Sequence, residues 1–420
     1  MYYNDLITSS TTKSKTSWNI INSEIGTASN KRHTQTEFNL GSKTININQA
    51  AKTFNSYLIN LVYDLITQDS NSELALSSLR ESFPYEFPQI TNIPISEAEV
   101  TSTTSSLKNK TSCGYDGLSN KILKLCGSHI SKPLNYVFNI SLTSGICPDR
   151  LKYAIIKPCF KKGDKSQISN YRPISILTGF SKIFKLLIFH RLKQHLVGNN
   201  ILVTEQYGIR DNVSTESAIF KLIESMFSAW NNKELITGIF CDLTRAFNCI
   251  SHQLLISKLE FYGVKGPILN WLQSYLYNRK QRVELQFISS PYILSNWEIV
   301  RHGVPQGSVL GPLFFNVYTN DFPCIISKVS DIILFADDTN ILISSNNFTE
   351  LHSKLNAVLR CIPKWFQNNQ LVLNLNKTHL VKFISFKSPS YPLYVSYNKH
   401  ALTVIENIRF LGLYLDCHLT

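Results

Sequence analysis

Two adjacent aspartates, Asp337 and Asp338, lie in the run DIILFADDTNILIS, which is apolar on both sides of them. Adjacent carboxylates repel each other, and apolar surroundings increase the repulsion. A third acid, Asp242, follows the apolar run ITGIFC, whose residues are typical of a buried strand. Asp242 and Asp337 are 95 positions apart in the sequence, which is enough for these acids to end two neighbouring strands of one sheet. If the strand end meets the hairpin tip, three carboxylates converge and require a compensating cation.

Hard divalent cations such as Mg²⁺ prefer carboxylate oxygens and keep water or phosphate oxygens as further ligands. Two such ions, roughly 3.5–4 Å apart, hold the attacking and leaving oxygens of an in-line phosphoryl displacement. The pattern therefore indicates phosphoryl-transfer chemistry. The plainer alternative is structural: Asp-Asp-Thr-Asn is common in turns, and Asp242 could cap a following helix.

A second candidate segment is GVPQGSVLGPLFFNVYTND, which begins at Gly303. Pro305, Gln306 and Gly307 precede Ser308 and predict a turn whose backbone can approach a flat ligand closely. We expect a helix over 309–316 that presents its N-terminus to that ligand. A loop before a core helix would explain the glycine, but not the whole run.

The composition limits the classes of protein. The chain has 420 residues and a formal net charge of +13, although only 17% of its residues are charged. This balance favours a polyanionic partner, nucleic acid before an anionic membrane. Nine scattered cysteines form no CxxC pair and no zinc spacing, and no signal peptide is recognisable, so we expect an intracellular, reducing setting. No apolar run is long enough to span a bilayer.

Periodicity predicts an α+β fold with acids at strand ends. Residues 1–45 are expected to be largely flexible, with at most a short helix near SWNIINSEIG. A helix is predicted in INQAAKTFNSYLINLVYDLI, and an extended linker in ESFPYEFPQITNIPISEAEV. Ser96 is expected to cap the next helix. Further predictions are a helix with a basic face in SKIFKLLIFHRLKQHLV, two helices in HQLLISKLEFYG and GPILNWLQSYLYNRKQ, a DDTN turn, a long helix in NNFTELHSKLNAVLRCIPKWFQNN, and strands in LVLNLNKTHLVKFI and IRFLGLYLD.

Several motifs occur in one order: KPCFKKGD, NYRPISIL, EQYGIR, FCDLTRAF, VPQGSVLGPLFFN, FADDT, NLNKT and FLGLYLD. This order resembles the reverse transcriptase of non-LTR (LINE-type) retrotransposons, jockey-like or a close relative, over roughly residues 95–420. The resemblance implies a right-hand polymerase fold with an antiparallel palm sheet packed on helices. The fingers would be 96–228 and the palm with its primer-grip hairpin 229–420, after an N-terminal extension or linker, 1–95, that is partly flexible.

The resemblance also implies roles for individual residues. Asp242 and Asp337 would hold the catalytic metals, with Asp338 beside them, and Lys377 would donate a proton to the leaving pyrophosphate. Phe247 would lie under the sugar of the incoming nucleotide and exclude a 2′-OH. The remaining implied contacts are Gln306 and Gly307 with the nucleotide and the template base; Arg172, Lys161 and Lys162 with the triphosphate; Arg279, Lys280 and Arg282 with backbone phosphate; and Gly412 of FLGLYLD with the primer end.

Each of these roles has a plainer alternative. Phe247 could be a core aromatic residue and Lys377 a surface lysine. Lys161 and Lys162 could belong to a solvated turn, and the Arg279 segment could form a solvated helix end.

The implied activity is RNA-directed DNA polymerisation by two-metal nucleotidyl transfer, with Mg²⁺ as cofactor and Mn²⁺ as an alternative. The partners would be an RNA template, a DNA primer and dNTPs, with no membrane and no small organic cofactor. The expected location is the nucleus and cytoplasm, as a ribonucleoprotein. Rival interpretations are an inactive or repurposed nucleic-acid-binding copy of the same fold, a two-metal nuclease, and a maturase-like splicing factor.

The sequence departs from the family pattern at three positions. Asn248 replaces an aspartate, Arg245 stands where lysine is common, and Ile209 gives GIR in place of GFR. None of these changes removes a predicted metal ligand. We also expect that a thumb and an upstream endonuclease are missing, as in a fragment or degraded copy of a longer reading frame.

Overall fold

The computed structural model describes residues 37–41, 43–65, 71–208, 210, 213–286, 292–384, 393–397 and 400–419, together with 7–8, 13, 16–17 and 20–21. The flexible segment predicted over 1–45 lies mostly outside these residues, as does the short helix predicted near SWNIINSEIG. The chain forms two compact units. The first comprises Met1–Asn55, Lys157–Arg172 and Val283–Asn296, and the second comprises Ser56–Ile156, Pro173–Arg282 and Trp297–Thr420.

The first unit contains an antiparallel hairpin of β1 (Glu37–Leu40) and β2 (Lys43–Asn46). Its apolar centre is aromatic: the ring of Phe54 lies 5.1 Å from that of Phe38 and 5.3 Å from that of Tyr171. Edge-to-face contacts at such distances favour aromatic clusters.

The main sheet of the second unit has five strands: β5 (Leu235–Cys241), β9 (Asp331–Phe335), β10 (Asp338–Ser345), β11 (His379–Phe383) and β14 (Thr403–Ile405). Their order in the sheet is β14–β11–β5–β10–β9. β5, β10 and β9 are antiparallel neighbours, and so are β11 and β5, whereas β14 runs parallel to β11.

Both faces of this sheet are buried. Ile239 and Ile341 pack into one apolar core, and Phe240 and Leu342 pack into the other. Because successive side chains of a strand point to opposite faces, a strand buried on both sides needs an unbroken apolar run. This requirement explains the largely apolar sequences ITGIFC and ILIS.

Helices of the second unit pack on both faces of the sheet, Thr215–Asn231 on one face and Phe348–Asn368 on the other. The α-helices of the described ranges are α1 (Ile47–Leu65), α2 (Ser72–Ser82), α3 (Glu97–Ser106), α4 (Asn120–Leu125), α5 (Gly127–Ser144), α6 (Gly179–Gly198), α7 (Thr215–Asn231), α8 (Ala246–Cys249), α9 (His252–Phe261), α10 (Pro267–Leu276), α11 (Leu310–Thr319), α12 (Phe322–Ile326) and α13 (Phe348–Asn368). Three short 3₁₀ helices cover Asp149–Lys152, Ile168–Asn170 and Leu375–Lys377. No helix of the described ranges is long and apolar enough to cross a membrane.

A further five-strand sheet is built from β3 (Tyr153–Phe160), β4 (Tyr171–Leu177), β6 (Arg279–Leu285), β7 (Ile293–Leu294) and β8 (Glu298–Val300). Its order is β4–β3–β6–β7, and β8 also pairs with β6. Two hairpins complete the described strands: β12 (Ser396–Tyr397) with β13 (His400–Ala401), and β15 (Asn407–Phe410) with β16 (Leu413–Asp416).

Most of the predicted elements are present. The α+β class, the helix over 47–65 and the hairpin in FLGLYLD are confirmed. The cap of α3 is a complete capping box, in which Ser96 and Glu99 each bond to the other's backbone.

Three local predictions need correction. The basic face of α6 is wrong, because Lys185 and Arg191 are buried. The turn after β9 is Ala336–Asp337, and Asp338 already belongs to β10. The predicted linker is irregular, but Phe83, Ile90 and Ile95 pack into the core.

Candidate active site

The two adjacent aspartates lie where β9 turns into β10. Phe335 pairs with Asp338, so the loop has two residues, Ala336 and Asp337. Ala336 has a φ of +53°, in the left-handed region that residues with a Cβ seldom occupy. The tight loop leaves Asp337 at the tip and Asp338 at the first position of the returning strand.

The third aspartate lies at the same edge of the sheet. Thr339 of β10 pairs with Cys241 of β5, and one more step of this antiparallel register places Asp338 opposite Asp242. Burial, followed by the nearby Asp337 and Asp242 carboxylates, raises the pKa of Asp338 to about 6. The Asp337 and Asp242 carboxylates are therefore close enough to disfavour a negative charge on Asp338.

Lys377 joins this group from a distant part of the chain. The backbone N–H of Thr244 donates to Val372 at 2.8 Å, and that of Asn374 donates to the Asp242 carbonyl at 2.8 Å. These bonds place the Leu375–Lys377 turn beside the strand end. The Lys377 Nζ lies 3.1 Å from Asp242 Oδ2.

The segment before α11 is bonded to the region around Phe247. The N–H of Gly303 donates to Ile250 at 2.8 Å, and that of Val304 donates to Phe247 at 2.9 Å. A Cβ on Gly303 would lie 2.6 Å from the Asn248 carbonyl oxygen, so only glycine allows this approach. The partly buried ring of Phe247 lies 5.0 Å from the ring of Phe315.

Gln306 and Gly307 form the turn itself. The Gln306 carbonyl accepts from the N–H of Ser175 at 3.0 Å, and Gly307 has a φ of +93°. The side-chain oxygen of Gln306 is buried and has no hydrogen-bond partner within the part of the chain that the structure describes. A buried acceptor of this kind is suited to a ligand or an ordered water.

The basic residues at positions 279–282 open strand β6, so the alternative of a solvated helix end is wrong. Arg279 is 3% exposed, and its Nη1 donates to the Gly303 carbonyl at 3.4 Å. Lys280 lies over the ring of Tyr153, and the Arg282 guanidinium lies 4.5 Å from the ring of Trp297. Lys280 and Arg282 thus combine partial exposure with cation–π contacts.

The other predicted basic residues lie in the first unit. Lys162 and Arg172 are exposed there, and the Lys161 N–H donates to Asn170 at 2.9 Å. In the second unit, Gly412 and Leu411 form the tight turn of the β15–β16 hairpin, with φ values of +101° and +46°.

The acids alone do not form a preassembled metal cage. Within the described ranges, no group of three or more His, Cys, Asp or Glu side chains has the arrangement of a metal site. The donor set nevertheless fits a hard divalent cation, because its donors are carboxylate oxygens and two of the carboxylates, Asp337 and Asp242, help to raise the pKa of Asp338.

The sequence assigns no role to Gln206 and Gly208 of the motif EQYGIR. In the structure, both residues contact the aspartate hairpin. Gln206 Oε1 accepts from the N–H of Ala336 at 3.2 Å. A Cβ on Gly208 would lie 2.7 Å from the Ala336 nitrogen. The glycine was a visible signal of close backbone approach, but the sequence does not show which backbone approaches it.

A sequence profile of the family described as "Reverse transcriptase (RNA-dependent DNA polymerase)" matches residues 160–415, more than half of the chain. The chain belongs to the reverse transcriptase family. The matched range includes all three aspartates, Lys377 and the Gln306 turn. The family that the motif order predicts is therefore confirmed.

Three curated relatives of this reverse transcriptase come from mobile elements of Drosophila melanogaster. It is 32% identical over 298 residues to the "Probable RNA-directed DNA polymerase from transposon BS", covering 68% of this chain and 32% of the relative. It is 29% identical over 346 residues to the "RNA-directed DNA polymerase from mobile element jockey", covering 80% and 37% respectively. For the protein from transposon X-element the identity is 27% over 331 residues, covering 78% and 36%. The chain thus spans about a third of the length of these relatives.

Proposed function

We propose that this reverse transcriptase is the RNA-directed DNA polymerase of a non-LTR retrotransposon, which extends a DNA primer with dNTPs on an RNA template. The convergence of Asp242, Asp337 and Asp338 at one sheet edge carries the proposal, because nucleotidyl transfer needs carboxylates at one point. The resemblance of the whole motif order to the polymerases of jockey-like elements supports the choice of template and product.

In this proposal Asp242 and Asp337 hold Mg²⁺, or Mn²⁺ as an alternative, with Asp338 beside them. The bound ions would stabilise the charge that develops on the transferring phosphate. The raised pKa of Asp338 supports this assignment, because the site favours any positive charge, a proton included.

The remaining residues of the site orient the substrates. Lys377, whose Nζ lies 3.1 Å from Asp242 Oδ2, is proposed to supply a proton to the leaving pyrophosphate. The ring of Phe247, backed by Phe315, presents a flat wall that a ribose 2′-OH would contact. Gln306 offers its unpaired oxygen, and Gly307 leaves room for a base to approach.

We assign 229–420 to the palm, 96–228 to the fingers and 1–95 to an extension. Arg172, Lys161 and Lys162 are proposed to contact the triphosphate, where cations stabilise charge during transfer. We propose that nucleic acid is contacted by Lys280, Arg282 and Gly412. The buried Arg279 instead donates a hydrogen bond to the Gly303 carbonyl within the protein. The net charge of +13 favours RNA as a partner. With its RNA, the protein is proposed to act as a ribonucleoprotein of the nucleus and cytoplasm.

Primer extension on poly(rA)·oligo(dT) with dTTP and Mg²⁺ tests this function. We expect extension by the parent and none by Asp337→Asn. Asp331→Asn is the matched control, because Asp331 is an exposed acid at the far end of the same hairpin. This control should retain the parent's rate.

Two results would contradict the proposal. One is extension by Asp337→Asn at the parent's rate. The other is a parent that binds RNA but extends no primer, which would favour an inactive nucleic-acid-binding copy of the fold.

A further inference from the structure

The segment 205–208, with the sequence EQYG, runs beside the outer strand of the aspartate hairpin. The N–H of Leu334 donates to the Glu205 carbonyl at 2.9 Å, and the N–H of Tyr207 donates to the Leu334 carbonyl at 2.8 Å. This short parallel bridge ends two residues before the hairpin tip. The segment therefore lies where it can control the position of Asp337.

The side chain of Gln206 reaches the tip itself. Gln206 is only 2% exposed, and its Oε1 accepts two backbone N–H groups, from Gly208 at 2.9 Å and from Ala336 at 3.2 Å. One side-chain oxygen thus joins two chain segments that are 128 residues apart. Its Nε2 is buried and has no partner within the described residues, so the acceptor oxygen is the part of this amide that the hairpin uses.

A second contact connects segment 205–208 to helix α11. The Nδ2 of Asn316, on helix α11, donates to the Gly208 carbonyl at 2.9 Å. Gly208 lies so close to Ala336 that a side chain at position 208 would meet the Ala336 backbone. Helix α11, segment 205–208 and the hairpin tip are thereby joined through buried polar contacts.

The tip needs such support. Ala336 holds a left-handed backbone conformation, which persists only when the surrounding structure imposes it. Without an acceptor, the Ala336 N–H would lose the bond that this conformation allows, and the two-residue loop would relax. Asp337 follows Ala336 directly, so its carboxylate would move with the loop.

We infer that Gln206 is a positioning residue that clamps the hairpin tip and thereby sets where the Asp337 carboxylate lies. The inference rests on the proposed function for its catalytic consequence, but the clamp itself is a property of the fold. Misplacing a reacting group by about 1 Å can slow a reaction about 100-fold, so a small movement of the tip is sufficient to matter.

The test compares Gln206→Met, Gln206→Asn, Gln206→Glu and Asn320→Leu. Methionine keeps the length of the side chain without a strong acceptor, and asparagine withdraws the amide by one carbon. Glutamate retains an accepting oxygen in either protonation state. Asn320→Leu is the matched control. The buried Asn320 makes two hydrogen bonds to positions 201 and 203, just before segment 205–208, and no hydrogen bond to the hairpin tip among the described residues.

Two measurements are made on each folded variant: amide hydrogen exchange of the peptide spanning 334–338, and kcat and KM for dTTP. For Gln206→Met and Gln206→Asn we expect exchange about 10-fold faster or more and kcat lower by about 10- to 100-fold, with KM within about 2-fold. Gln206→Glu should retain the slow exchange. Asn320→Leu should lower the melting temperature, but leave both the exchange at 334–338 and kcat within about 2-fold of the parent.

Unchanged exchange at 334–338 in Gln206→Met would overturn the clamp. A loss of kcat in Asn320→Leu equal to that in Gln206→Met would also overturn it, since the loss would then reflect general destabilisation. If the parent extends no primer, the proposed function fails, and the exchange measurement still decides whether the clamp exists.

Discussion

The ammonium group of Lys377 lies 3.1 Å from a carboxylate oxygen of Asp242, although 135 residues separate them. Backbone bonds between residues 372–374 and 242–244 bring the two together, so the contact follows from the course of the chain. The Lys377 side chain is 54% exposed and that of Asp242 42% exposed. An exposed pair of this kind contributes little to stability, and its importance lies in the charge that it brings to the site.

Lys377→Gln should tighten the binding of Mn²⁺ to the free protein. The substitution removes a cation that competes for Asp242, and an exposed pair is worth about 0.2–1 kcal/mol, so a change of about 1.4- to 5-fold in Kd is expected. The Kd is measured by titrating the protein with Mn²⁺ and monitoring the free ion by electron paramagnetic resonance. The same variant should have a lower kcat, because the proton donor is gone. The control is Lys221→Gln, which breaks the exposed pair with Glu224. Weaker Mn²⁺ binding in Lys377→Gln would contradict the proposed competition.

Phe247→Ala should allow ribonucleotides to enter. The ring is only partly buried and is backed by Phe315, so its removal opens space where the sugar is proposed to lie. We expect the ratio of kcat/KM for dTTP over UTP to fall by about 10-fold or more, equivalent to about 1.4 kcal/mol. Single-nucleotide incorporation on the same homopolymer duplex measures the ratio. Phe348→Ala serves as the control, because that partly buried ring lies at the start of α13, beside His352. An unchanged ratio in Phe247→Ala would leave this ring as an ordinary core aromatic.

Gly208→Ala should lower activity far more than stability. The new methyl group would lie 2.7 Å from the Ala336 backbone nitrogen, so the hairpin tip has to shift. We expect kcat to fall by about 10-fold or more. Gly198→Ala is the matched control, since a Cβ at that end of α6 meets nothing within 4 Å and alanine favours a helix by up to about 1 kcal/mol. Primer extension measures the activity of both variants, and urea unfolding measures their stability. Equal activities of Gly208→Ala and Gly198→Ala would show that the contact between position 208 and the Ala336 backbone is not tight.

The strands of the site were predictable because their signal is local. ITGIFC is largely apolar and DIILF is apolar after Asp331, as strands buried on both faces must be, and Asp242 and Asp337 follow them closely. The register that places Asp338 opposite Asp242 was not predictable, because it depends on pairing between segments about 100 residues apart.

Helix α6 shows why other features were missed. The basic residues of SKIFKLLIFHRLKQHLV predict a solvated face. Arg191, however, is buried and donates hydrogen bonds to the carbonyls of Ile93 and Pro94, each at 3.0 Å. Its partners lie almost 100 residues away and leave no trace in the local pattern. The start of helix α3, in contrast, was predictable, because Ser96 is a good N-cap residue and forms a capping box with Glu99.

His252 should make the stability of the protein depend on pH. The carbonyl of Gly303 can only accept, so the neutral ring donates from Nε2 at 2.7 Å. Burial, with further contributions from the nearby Arg279 and His302, lowers the pKa of His252 to about 4. A depressed histidine pKa means that the unfolded state binds the proton more readily. The stabilisation is therefore complete above about pH 6.5 and is lost as the pH falls towards 4.

The measurement is urea unfolding at pH 8 and pH 5 for the parent and for His252→Asn. Between these pH values the His252 contribution to the free energy of unfolding should fall by about 2 kcal/mol. The parent should therefore lose about 2 kcal/mol more than the variant, since other groups titrate in both. Equal losses would show that the ring takes up its proton in the folded state as easily as in the unfolded one.

A buried ion pair behind the site gives the largest expected effect on stability. Lys258 and Asp321 are both 0% exposed, and Lys258 Nζ lies 2.7 Å from Asp321 Oδ1. The Nζ also donates to the Tyr318 carbonyl at 2.6 Å, and Trp365 Nε1 donates to Asp321 Oδ2 at 2.8 Å. The pair thus holds α9 against α11 and α13, the helices that support the sheet.

Lys258→Met should destabilise the protein by about 3–5 kcal/mol, because it leaves the Asp321 charge buried without its partner. Lys258→Met combined with Asp321→Asn should recover much of this loss, since asparagine still accepts from Trp365 and carries no charge. Urea unfolding of the single and double variants measures both values, and Lys221→Met, in an exposed pair, should change stability by less than about 1 kcal/mol. A double variant no more stable than Lys258→Met alone would mean that lost packing, rather than an unpaired charge, causes the destabilisation.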